Sequence, residues 1–269
     1  MPDTTPQNLI ERAQKLLKQQ SELYGPFNVD IVSISPKEDP TPEPETIESN
    51  PKKSEPIVNE ELESYPSAYE AKPQSKLELI SKSSSLEELR QLCEQADELR
   101  TDLENTNLVF GVGNPEADLM IVGEAPGMNE DLQGEPFVGQ AGQLLDKIMK
   151  AIDFDRSDIY IANILKHRPP NNRDPKPEER ERSLPYLLRQ IELVNPKLIL
   201  CVGRISATTL LGKDDSLKNM RRKFHPFFER ELMVTYHPAA LLRNPQWKRP
   251  TWEDVQMLKA RYIELGGRS

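Results

Sequence analysis

Cysteine is nearly absent from this sequence, which holds only Cys93 and Cys201 among its 269 residues. Two thiols so far apart, without ligand spacing, exclude a disulfide framework and a cysteine-built metal site, and they suit a reducing compartment; a cytoplasmic location is expected. No run approaches twenty apolar residues, so no segment is expected to span a membrane. The N-terminus, MPDTTPQNLIERAQ, has an early acid and no apolar core, so it does not read as a secretory signal. Neither GxxxxGK(S/T) nor GxGxxG occurs, which removes the phosphate-cradling glycine loop expected of an enzyme acting on free nucleotides. No internal repeat of fixed period is present.

Proline, by contrast, is abundant, with 24 residues, and it is concentrated where acids and serines also gather. Residues 6–24 carry Leu9, Ile10, Ala13, Leu16 and Leu17 at helical spacing among charged residues, with Pro6 near the start and Gly25 after the end. That pattern predicts an amphipathic helix over residues 1–25. Residues 26–77 then read PKEDPTPEPETIESNPKKSEP and similar text, which buries too little apolar surface to offset its ordering entropy; a disordered linker is predicted. The folded domain is expected over 78–269, opening with a helix from Ser85 to Leu99 that has Ser85 as cap and Glu88 completing a capping box. The charge divides along the same line. The first hundred residues hold eleven Lys/Arg against twenty Asp/Glu, and the rest hold twenty-four of each, so the whole formal charge of −9 lies in the first part. The neutral part still gathers Lys218, Arg221, Arg222, Lys223, Lys248 and Arg249, either a basic face or an ordinary solvated one.

Four short apolar runs follow, Leu119–Val122, Ile159–Ile164, Leu198–Val202 and Leu232–Thr235. GQLLDKIMKAI and EERERSLPYLLRQIELV separate the first three with helical periodicity, and ISATTLLG follows the third. Strands apolar on both faces and alternating with helices predict an α/β fold: a three-layer α/β/α sandwich around a four-stranded parallel sheet. In such sheets ligands bind beyond the carboxyl ends of the strands. The loops there are GEAPGMNED (123–131), NILKHRPPNNR (163–173) and YHPAALLRNP (236–245). Each piece alone can be a turn or a core residue; together, at three strand ends, they predict one pocket.

In this order and spacing, VFGVGNPEADLMIVGEAPG, GEPFVGQAGQLLDKIM, NILKHRPPNNRDPKPEE and TYHPAALLRNP resemble the family-4 uracil-DNA glycosylases of the uracil-DNA glycosylase superfamily, from about Val109 to Leu265. The resemblance implies hydrolysis of the bond between uracil and deoxyribose in DNA after the base is flipped out of the duplex. It also implies the site. Ala125, Pro126 and Gly127 would border the uracil, Phe137 would stack on it, and Asn163, whose amide is both donor and acceptor, would read its N3–H and O4. His237 would donate to uracil O2 as negative charge develops there. Family-1 relatives place an aspartate at Ala125, so the water-orienting carboxylate is expected to be Glu124 first and Glu130 second. Leu241 and Arg243 would fill the vacated stack and contact phosphate, although both also fit the start of a packed helix. No lysine sits where strand cleavage would need one, so a monofunctional enzyme is expected.

Family-4 enzymes typically carry a 4Fe–4S cluster on four cysteines, and here His167 and Ser183 stand at two of those positions. Clusters of this kind need thiolates, so no cluster and no other metal or cofactor is expected. The packing of residues 85–108 should replace its tie, and His167 is expected at the surface or facing DNA. A protein of this fold that holds or traps uracil without turnover is the alternative. The covalent relatives' extra histidine in an arginine-rich loop is not reproduced by KHRPPNNR. The expected form is a monomer, with the N-terminal arm available to a repair or replication protein.

Overall fold

The computed structural model describes residues 75–267, so the expected helix at 6–24 and nearly all of the expected linker lie outside it. The first described helix, α1 (Lys76–Lys82), starts two residues before the anticipated domain boundary. Ser75 caps it reciprocally with Glu78. Helix α2 (Leu86–Glu94) has Ser85 as its cap, with Ser85 Oγ accepting the Glu88 N–H at 3.2 Å. The return bond goes elsewhere than expected: Glu88 accepts from the Ser84 N–H at 2.6 Å. The helix also ends sooner, at Glu94, and a separate 3-10 turn covers Asp97–Leu99.

The centre is a sheet in the order β1-β3-β2-β4-β6-β5. Its inner strands are β2 (Leu119–Gly123), β3 (Tyr160–Asn163), β4 (Leu198–Val202) and β6 (Arg230–Thr235), mutually parallel and matching the four apolar runs. The four-stranded expectation needs one correction. Two antiparallel edge strands, β1 (Val112–Gly113) and β5 (Phe224–Phe227), widen the sheet to six. Neither has an apolar run: β1 is two residues long, and β5 carries Pro226, which only an edge tolerates because it cannot donate to a ladder.

Alternation along the strands divides the core in two. Met120, Val122, Ile199, Cys201, Leu232 and Val234 face helices α5 (Pro177–Val194) and α6 (Arg204–Leu211). Leu119, Ile121, Leu198, Leu200, Val202 and Met233 face α4 (Gln140–Lys150) and the C-terminal α9 (Lys248–Glu264). Each strand therefore buries both faces, which gives the three layers. A third cluster, Ile80, Leu89, Cys93, Ala96, Leu99, Phe110 and Tyr186, packs α1 and α2 onto the outside of α5. Among the described residues no helix is long and apolar enough to cross a membrane. The short helices α3 (Met128–Gln133), α7 (Leu217–Met220) and α8 (Pro238–Arg243) complete the chain.

Candidate functional site

β3, β2, β4 and β6 run parallel in that order across the sheet, and the chain beyond the carboxyl ends of β2, β3 and β6 closes around a cavity of about 350 Å³. Its lining includes Glu124, Ala125, Pro126, Gly127, Glu130, Phe137, Asn163, His237 and Arg243. Nine of the ten residues expected at the site are therefore brought together; Leu241 is the exception.

The Phe137 ring is held by its backbone. Its φ of +55° is a left-handed conformation that a bulky residue rarely adopts. The surroundings hold it there: Arg156 donates to the Phe137 carbonyl at 3.2 Å and to that of Pro136, and also pairs with Asp146 at 3.1 Å. Gly142 is required in α4 because a Cβ there would lie 1.8 Å from the Phe137 carbonyl oxygen. Gly123 performs the same service inside the cavity. A Cβ on it would lie 2.3 Å from Asn163 Oδ1 and 2.6 Å from the Phe137 ring, so only glycine lets stacking surface and amide meet at one strand end. Asn163 itself is 2% exposed, and its Oδ1 accepts no hydrogen bond. A buried acceptor without a partner costs about 1–3 kcal/mol, which a ligand N–H would recover.

His237 caps α8. Its Nδ1 accepts the Ala239 N–H at 3.2 Å, which places the ring proton on Nε2. Burial, reinforced by Arg243, pulls its pKa down to about 4, so the imidazole is neutral near pH 7 and still a donor. The preceding residue is braced from behind. Tyr236 stacks on Trp247 at 4.8 Å between centroids, and the Arg221 guanidinium lies 4.2 Å over its ring. Arg221 in turn pairs with the fully buried Asp254 at 2.7 Å, which also accepts from Thr235 at the end of β6. Arg221 thus leaves the anticipated basic cluster, whose other members, Lys218, Arg222, Lys223, Lys248 and Arg249, are exposed.

The two glutamates differ. Burial, with Asp174 adding to it, pushes Glu124 up to about pKa 7. Glu130 on α3 instead commits Oε1 to the Val138 and Gly139 N–H groups at 3.0 and 2.9 Å, tying α3 to the start of α4. Glu124 has no side-chain hydrogen-bond partner among the described residues, which leaves its carboxyl group available to a ligand.

Leu241 must be corrected. It is 1% exposed, packed inward by α8, whereas Leu242 beside it is 45% exposed. His167 is also not a surface or DNA-facing residue. It is 3% exposed, with Nδ1 3.0 Å from the Thr106 hydroxyl. Sequence reasoning gave no role to Pro169, Asn172, Arg173 and Asp174, which line the cavity. They lie in the quoted RPPNNRDP text, whose density of turn formers was the available signal.

The residues present do not suit an iron–sulfur cluster. Cys201 is buried in β4 and Cys93 in the α2 cluster, His167 is engaged by Thr106, and Ser183 offers a buried hydroxyl in place of a thiolate. Among the described residues no group of three or more His, Cys, Asp or Glu is arranged to hold a metal.

Similarity to known proteins points to one family. Residues 110–257 match the model of the uracil DNA glycosylase superfamily. The chain is 42% identical over 175 residues to the type-4 uracil-DNA glycosylase of Archaeoglobus fulgidus, covering 62% of this chain and 86% of that one. It is 44% identical over 163 residues to that of Sulfurisphaera tokodaii, covering 57% and 74%. With the enzyme of Thermotoga maritima it shares 39% identity over 162 residues, covering 59% and 84%.

Proposed function

The chain belongs to the uracil DNA glycosylase superfamily, and from that premise we propose that it hydrolyses the N-glycosidic bond of uracil in DNA, as a monofunctional base-excision-repair enzyme. The observation that carries this reading is the unpartnered Oδ1 of Asn163, buried beside Phe137 in the same cavity as the Nε2–H of His237. Uracil offers a donor at N3 for the first and an acceptor at O2 for the second.

A base within a duplex is unreachable, so it is flipped into the cavity at a cost of a few kcal/mol. There its face rests on Phe137 and its edge is read by Asn163, with Ala125, Pro126 and Gly127 bordering the ring. As the bond breaks, the electron pair stays on uracil N1 and is delocalised to O2, where neutral His237 donates; a preorganised donor of this kind contributes roughly 3–4 kcal/mol. The sugar becomes electron-poor at C1′. Glu124 in its ionised form offsets that charge and orients the water that adds there, the water's proton passing to the carboxylate. Glu130, held by two N–H groups, keeps the loop in shape and stands second for this role.

At the cavity mouth Arg243 contacts phosphate, and the exposed Leu242 takes the wedge role first assigned to Leu241. The chemistry needs no metal or cluster. The reading includes action as a monomer, in a reducing compartment such as the cytoplasm, with residues 78–269 as the catalytic unit. It leaves the N-terminal arm to a repair or replication partner.

The test is release of free uracil from a uracil-containing oligonucleotide. Uracil in many-fold excess over protein supports the reading; a yield that stops at one per protein indicates trapping, and no release indicates a binding protein.

A further inference from the structure

Residues 101–110 have no helix or strand of their own and do not line the cavity, yet they bond to the 167–176 loop and to α3, both of which carry lining residues. On the loop of 167–176, the Thr101 hydroxyl donates to the Arg168 carbonyl at 2.6 Å, and Thr106 meets buried His167 at 3.0 Å. Asp102 accepts from Arg173 at 3.1 Å and from Lys176 at 2.5 Å. On α3, Asn107 binds Asp131 twice, backbone N–H to carboxylate at 2.8 Å and amide to carbonyl at 2.7 Å. Asp131 adjoins Glu130, which lines the cavity, as do Arg173 and Asp174 of the 167–176 loop. The far end of the segment reaches the base-reading residue. The Val109 N–H donates to the Lys166 carbonyl at 2.8 Å, and fully buried Lys166 donates at 3.3 Å to the Phe110 carbonyl and at 3.0 Å to that of Asn163.

We propose that residues 101–110 act as a positioning strap: by bridging the 167–176 loop, α3 and Asn163, they set the width of the uracil cavity. The inference rests on the function proposed above. Its members are positioning residues, since none touches the base or the reacting bond. A stabilising role does not account for the exposed part of the strap. Asp102 is 61% exposed, and exposed ion pairs add little to folding. Bonds of that kind on both walls of a binding site matter instead through geometry, because displacements of about 1 Å at a reacting centre change rates by up to about a hundredfold.

The test compares the wild type with Asp102→Ala/Asn107→Ala, Thr106→Val and Thr106→Ser. Two constants are measured, KM for a single-stranded uracil oligonucleotide and the inhibition constant of free uracil. The double variant and Thr106→Val are expected to raise both on the order of tenfold, and Thr106→Ser, which keeps the hydroxyl, to stay within about twofold of the wild type. If both constants are unchanged in the first two variants, or if Ser is as impaired as Val, the strap does not position the site. Absence of uracil release by the wild type would instead sink the proposed function. The strap is then judged by hydrogen exchange: faster exchange in 167–176 and α3 of the double variant supports it, and unchanged exchange there overturns it.

Discussion

The proton of His237 sits on Nε2 because the Ala239 N–H occupies Nδ1, and burial keeps the ring neutral down to a pKa of about 4. Replacing it with alanine removes the donor to uracil O2 while leaving the α8 fold largely in place. We expect kcat to fall by roughly a hundred- to a thousandfold with little change in KM, measured by single-turnover uracil release. Glu124 gives a pH signature. Its pKa near 7 means the ionised form needed at C1′ grows in as pH rises through 7, so the rate climbs there, and Glu124→Gln abolishes that climb. The same carboxyl opposes folding once ionised. Because its folded pKa lies above the ordinary 4.5, its contribution is fully favourable below about 4.5 and lost as pH rises through about 7. Glu124→Gln should therefore be more stable than the wild type at pH 8, by roughly 1–3 kcal/mol in urea titrations. A slow enzyme that is also less stable at pH 8 would contradict this assignment. Most residues of the cavity were legible in the sequence, because GEAPG, NILK and YHP place polar groups at strand ends and PFVG, between α3 and α4, matches the family's stacking aromatic. The tautomer of His237 and the tie on Glu130 were not, since each depends on a backbone N–H whose direction only the fold fixes.

At the scale of elements, strand-end geometry decides what can approach the base. Gly123 ends β2 where a methyl group would strike both Asn163 and Phe137, so Gly123→Ala should weaken uracil binding and excision more than it lowers stability. Helix α8 separates two neighbouring leucines. Leu242→Ala is expected to slow excision from duplex DNA with an unchanged melting temperature, and less from a single strand, where no stack needs filling. Leu241→Ala empties a core position and should cost about 2–5 kcal/mol of stability. A duplex defect that followed Leu241 at constant stability would reverse the two roles. The motif HPAALLR could not distinguish them because adjacent helical residues differ by about 100° in direction, and only packing against the core shows which one is inside. The inner strands were legible for the opposite reason: burial on both faces leaves an uninterrupted apolar run. β1 and β5 had none, since an edge strand is held by a single neighbour and keeps polar residues and proline.

Across the described residues as a whole, packing and hydrogen bonds tie residues 76–110 to the sheet and its helices. Ile80, Leu89, Cys93, Ala96 and Leu99 bury themselves against Tyr186 and Phe110, and Glu98 accepts the Tyr186 hydroxyl at 2.7 Å. That two of the family's cysteine positions hold His167 and Ser183 was legible in the sequence; the packing of this segment was not, because it is assembled from α1, α2 and α5 across about a hundred residues. Purified protein is expected to lack the visible absorption of an iron–sulfur centre and to keep its rate after iron chelation. A stoichiometric iron content with loss of activity on chelation would oppose that expectation. The arrangement of the cavity leads to one decisive measurement, the crystal structure of the protein with bound uracil. The ring is expected to stack on Phe137, with N3–H donating to Asn163 Oδ1 and O2 within hydrogen-bond reach of His237 Nε2. Uracil bound elsewhere, or bound here with its O2 turned away from His237, would contradict this arrangement.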